Sequence, residues 1–106
     1  MNRNDELKDF ERRGRILDTD NDEAFRSFIR EARVVLEKTD GDIADILMVS
    51  RTTFNRWING KSMPHPLMRP SVVSRILDRV GAKLSARSTY AYSGGGGGMV
   101  AKSYGS

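Results

Sequence analysis

Between Phe25 and Leu36 apolar residues recur at spacings of three and four: Phe25, Phe28, Ile29, Ala32, Val35 and Leu36. That period belongs to a helix with one broad buried stripe. Thr19-Asp20-Asn21-Asp22-Glu23 stands before it, with Asp20 and Glu23 at capping-box spacing and acids suited to a helix's positive end. The pattern predicts a helix from this segment to about Lys38. Ile43, Ala44 and Leu47 form a second, shorter stripe, predicting a helix from about Asp42, and Val49, Phe54 and Trp57 supply the apolar side of a third element. Ser50 immediately precedes Arg51-Thr52-Thr53, where its hydroxyl can accept a first-turn N–H, so the N-cap of the third helix is placed there. Asn59-Gly60 accepts positive φ and stops that helix after about eight residues.

Outside this centre the pattern weakens. Pro64, Pro66 and Pro70 predict an extended connection, and Pro70 can open a final helix with Val72, Val73, Ile76, Leu77 and Val80 inward and Gly81 at its end. Residues 1–18 carry Leu7, Phe10 and Ile16-Leu17, enough for one weak amphipathic helix interrupted near Gly14 or for a flexible segment, whose apolar side would cover the bundle or a second subunit. From Leu84 the chain turns to Ser, Gly, Tyr and Ala, with Gly94–Gly98 unbroken. Such a sequence buries too little apolar surface to offset chain entropy, so residues 84–106 are expected to be a disordered tail. The expected domain is therefore residues 19–83.

The outer side of the third helix carries Arg51, Thr52, Asn55, Arg56 and Asn59. Arg can hold guanine through two hydrogen bonds, Asn can do the same for adenine, and Thr offers a hydroxyl or a methyl. All five are thus residues of base-reading type at helical spacing. The distribution of charge supports the same place. Residues 40–49 hold Asp40, Asp42 and Asp45 and no base, whereas residues 50–83 hold seven bases (Arg51, Arg56, Lys61, Arg69, Arg75, Arg79 and Lys83) against Asp78 alone. The net charge of +4 understates the local field that a phosphate would meet.

With these residues in view, the stretch resembles the helix-turn-helix of the lambda-repressor and Cro-like (XRE-type) family. The likeness rests on Ala44 inside the first helix, Val49-Ser50 entering the second, and the closing Arg56-Trp57-Ile58-Asn59-Gly60. It spans residues 22–83 and is strongest over 43–61. It implies an all-α fold, a compact bundle of four or five helices whose helix 51–59 lies in the major groove of double-stranded DNA. It also implies that Arg51, Thr52, Asn55 and Arg56 are the candidate base readers, at positions that touch base edges, whereas Ser50, Asn59, Gly60 and Lys61 occupy phosphate-contacting or turn positions. Two departures stand out. Met48 occupies the corner where the family usually has Gly, and a non-Gly residue at positive φ is uncommon and strained. Asp40-Gly41-Asp42 replaces the more usual Gln-rich opening.

The sequence also narrows other classes. It has no Cys and only one His, His65 in the Pro-rich connection, so thiolate metal sites and a Ser-His-Asp triad are not expected. Asp18, Asp20 and Asp22 alternate like the start of an EF-hand loop, but Glu23 stands where Gly must turn and Ile29 where a closing Glu is needed. No apolar run reaches the roughly 18 residues of a membrane span, and the charged N-terminus lacks a signal peptide's apolar core. The expectation is a cytoplasmic, cofactor-free, non-enzymatic protein: a transcriptional regulator, repressor-like or antitoxin-like, acting as a homodimer on DNA, with a protein partner if antitoxin-like. A DNA-binding accessory factor for recombination or replication, and a protein–protein adaptor using the same fold, are the alternative readings.

Overall fold

The computed structural model describes residues 2–92, with side chains through residue 86. Its elements are α1 (Arg3–Arg15), α2 (Asp22–Leu36), α3 (Asp40–Leu47), α4 (Arg51–Ile58), a single 3-10 turn at Pro66–Met68, and α5 (Arg69–Tyr92). The fold is all-α, a five-helix bundle containing a helix-turn-helix. The stripe read from Phe25 to Leu36 explains why α2 is central. It touches α1, α3, α4 and α5, and Phe25, Ile29 and Ala32 are fully buried. Ile43, Ala44, Leu47, Phe54 and Trp57 are also in the core, as their spacing requires.

Helix ends depart from the sequence reading in informative ways. The N-cap of α2 is Asn21, whose side chain accepts from the Ala24 amide at 2.9 Å, while the Asp18 side chain accepts from the Asp20 amide. The capping box lies one helix later: Thr39 Oγ1 accepts from the Asp42 amide at 3.1 Å, and Asp42 accepts from the Thr39 amide at 3.2 Å. This reciprocal pair starts α3 at Asp40, ahead of the expected Asp42. The same hydrogen bond from the Thr39 amide holds the Asp42 carboxyl below its ordinary pKa. At its other end α2 stops at Leu36, short of Lys38, because Glu37 adopts the left-handed conformation at φ 57.

Within the N-terminal segment, Arg3–Arg15 form a helix of the bundle. Asn2 caps α1 by accepting from the Asp5 amide, and Leu7 and Phe10 are wholly buried. Phe10 lies flat on Phe28, their ring centroids 4.4 Å apart. Gly14, read as an interruption, is instead a point of close approach. A Cβ there would stand 2.7 Å from Leu77 Cδ2 and 2.8 Å from Phe28 Cζ, so only a residue without a side chain lets α1 seat against α2 and α5. Arg13 fastens the same seam through two bonds to Glu31, at 2.9 and 2.7 Å, and hydrogen bonding to Glu31 raises its pKa above the ordinary arginine value.

Gly81 does not end the last helix. α5 runs on to Tyr92, so residues 84–92 of the expected tail are helical, and residues 93–106 lie outside the described residues. A lone Gly costs a helix interior only roughly 1 kcal/mol, and beyond it Leu84 still packs against the core. The Pro-rich connection is pinned by one cation. Arg69, 4% exposed, donates from Nε to the Pro64 carbonyl at 3.0 Å and from Nη1 to the Thr19 carbonyl at 3.0 Å and Asp22 Oδ1 at 2.7 Å. Its guanidinium also stacks 5.5 Å from the centre of the Phe25 ring.

Candidate nucleic-acid interface

The corner between α3 and α4 keeps the left-handed conformation despite having no glycine. Met48 has φ 62, and the Met48 and Val49 amides donate to the Asp45 and Ala44 carbonyls at 3.1 and 3.0 Å, the two bonds of a Schellman motif. Met48 points its apolar side chain outward, 73% exposed, so the strain of positive φ is not offset by burial. Val49 packs on the core and Ser50 then opens α4: its Oγ accepts from the Thr53 amide at 3.0 Å and donates to Thr53 Oγ1 at 2.9 Å. That leaves the amides of Arg51 and Thr52, which have no intrahelical acceptor, at the positive end of the helix.

Phe54, Trp57 and Ile58 hold the inner side of α4 in the core. The outer side forms an open groove of about 530 Å³ lined by Arg51, Thr52, Asn55, Arg56, Asn59 and Lys61. The structure thus brings together the four candidate base readers with Asn59 and Lys61. Ser50 and Gly60 lie outside the lining. The Ser50 hydroxyl is engaged in the cap, and Gly60, at φ 75, donates its amide to the Trp57 carbonyl at 3.2 Å. Gly60 therefore acts as the turn that closes α4, with Lys61 donating to the Arg56 carbonyl at 2.8 Å.

Chemically the groove is a set of donors without matching acids. Among the described residues Arg51, Arg56 and Lys61 form no ion pair and are all exposed. Asn55 is engaged: its Nδ2 donates to the Arg51 carbonyl at 2.9 Å, so it must turn away from the helix to present both amide atoms to a ligand. The remaining bases of residues 50–83 are elsewhere. Arg69 is inside the bundle, and Lys83 donates to the Leu36 carbonyl at 3.2 Å. Arg75 and Arg79 are exposed on α5, which packs on α1, α2 and α3 rather than on α4. Arg79 lies by Lys38, Asp42 and Asp45 in a separate hollow.

Two arginines outside the sequence reading lie at the exit of α4. Arg30, on α2, donates from Nη2 to the Ile58 carbonyl at 2.5 Å, satisfying one of the helix's last acceptors. Arg26, one turn earlier, lies beside Gly60. Neither could be singled out by spacing, because their partners are about thirty residues away and a surface arginine on α2 reads as solvated.

Among the described residues no group of three or more His, Cys, Asp or Glu side chains is arranged to hold a metal ion, and no helix is long and apolar enough to cross a membrane. No family model, curated protein or solved structure matches this chain.

Proposed function

We propose that the protein is a sequence-specific double-stranded DNA-binding regulator of transcription, a helix-turn-helix protein of the lambda-repressor and Cro-like kind, with α4 in the major groove. The observation that carries this reading is the groove on α4, where Arg51, Thr52, Asn55, Arg56, Asn59 and Lys61 converge on an outward face whose cations have no ion-pair partners. An α-helix fits the roughly 12 Å width of the major groove. In this reading Arg51, Thr52, Asn55 and Arg56 face base edges, while Lys61, Asn59 and the free amides at the start of α4 meet phosphates.

A single recognition helix reads few base pairs, so the proposal includes a homodimer with its two α4 helices about 34 Å apart on a near-palindromic site. The apolar side of α1 is spent within its own chain, since Leu7 and Phe10 are fully buried. The test is selection of bound duplexes from a random pool at fixed salt. One enriched sequence with two related half-sites is expected, and recovery of the pool without enrichment would refute the proposal.

A further inference from the structure

Arg26 sits where α2 passes the end of α4. The point at which a Cβ on Gly60 would stand is 3.5 Å from both Cζ and Nε of Arg26 and 3.6 Å from its Nη2. Gly60 lies between Asn59 and Lys61, both on the groove, so this guanidinium stands at the groove's end. Its bonding is incomplete. The Nε–H is buried with no hydrogen-bond partner, and Nη1 donates to Glu23 Oε1 at 2.7 Å. The two partners are unequally held: the Arg26 side chain is 20% exposed and that of Glu23 81%. The arginine is fixed by packing, while the carboxylate is free to rotate into solvent. Arg30, one turn along α2, has instead found a carbonyl, that of Ile58, so the fold already supplies the closing bond for α4 without Arg26.

We infer that Arg26 is a phosphate-binding residue of the DNA interface, with Glu23 occupying its guanidinium until a backbone phosphate displaces it. This rests on the DNA-binding reading of α4 and extends that contact surface onto α2. A planar guanidinium held against a glycine, with its Nη1 donor turned to an exposed and exchangeable carboxylate, is suited to a tetrahedral anion in that carboxylate's place. The spent backbone amides at Gly60 and Lys61 leave the phosphate to side chains here, and Lys61 alone would be a mobile point charge.

The test uses the full chain and measures affinity against salt for its selected duplex and for an unrelated duplex. Arg26→Ala should weaken both alike, by about tenfold near physiological salt, and reduce the salt slope by about 0.9. Glu23→Gln should act oppositely and tighten both by about threefold, because it removes the competing charge without removing the donor. Arg26→Lys should keep the slope and lose part of the affinity. A purely structural role predicts otherwise: Arg26→Ala would lower the unfolding midpoint and alter base preference, and Glu23→Gln would leave affinity unchanged. Either result overturns the inference. If the wild type selects a sequence that depends on Arg56 yet ignores Arg26 and Glu23, only this inference fails. If the wild type holds no duplex, the reading of α4 fails with it.

Discussion

Arg69 and Arg56 are thirteen positions apart in one basic stretch, yet the bundle uses them in opposite ways. At the start of α5 the guanidinium of Arg69 is taken out of water, satisfied by two carbonyls and Asp22, and stacked on Phe25. On α4 the guanidinium of Arg56 is exposed, unpaired among the described residues, and aligned with Arg51, Asn55 and Lys61 on one groove. The difference lies in what each would lose if removed. Arg69 organises the connection between α4 and α5, so its loss is a loss of fold, whereas Arg56 has only water to lose and is available to a ligand. Counting cations along a sequence measures neither.

The first way to break that comparison is to remove the inner cation. Arg69→Ala would strand the Pro64 and Thr19 carbonyls, and chemical denaturation should show a loss of about 2–3 kcal/mol, the lower end for a buried pair because Asp22 remains well solvated. Base preference of the folded protein should be unaltered. If Arg69→Ala leaves the unfolding midpoint in place, the division between structural and recognition cations is wrong. A smaller effect is expected at the α1 seam. Gly14→Ala gains helix propensity but drives a methyl against Leu77 and Phe28, and should cost about 1–2 kcal/mol net in the same assay.

Turning to the α4 side, Met48→Gly should raise stability by about 1 kcal/mol, because it relieves a left-handed residue whose side chain is solvent-exposed. DNA affinity should not change. Smallest of all is the acid limb set by Asp42. Its pKa is lowered by the Thr39 hydrogen bond, so its contribution is present above the ordinary carboxylate range and is lost as pH falls through the lowered value. The melting temperature of Asp42→Asn should therefore lie slightly below wild type near neutrality and converge with it in acid.

These effects also separate what the sequence could disclose from what it could not. Ser50, Phe54 and Trp57 were legible because a cap and a stripe are local, set by neighbours within one or two turns. The corner at Met48 was legible as a strained position for the same reason. The seat of α1 was not, since Gly14 looks like a helix breaker until Phe28 and Leu77 arrive from other helices. Gly81 misled in the same way, because its local cost is small and Leu84 beyond it still packs against the core. Asp20 and Glu23 had capping-box spacing, but the Asn21 side chain took the cap and left the box to Thr39 and Asp42. For the site, helical spacing sufficed to gather Arg51, Thr52, Asn55 and Arg56, since they lie on one face of one short helix. It could not disclose that Arg69 turns inward, that Asn55 is held by the Arg51 carbonyl, or that Arg26 reaches Gly60. Each of these depends on three-dimensional neighbours or a rotamer.

If the outer face of α4 reads DNA bases as proposed, the loss of Arg56 will show it. Wild type and Arg56→Ala should be titrated against the selected duplex and its single-base variants at one salt concentration, with unfolding midpoints measured in parallel. The expected result is an unchanged midpoint and a loss of about 1–3 kcal/mol of discrimination at one base-pair position, with preference elsewhere intact. Undiminished discrimination at every position in a folded Arg56→Ala protein would show that Arg56 reads no base.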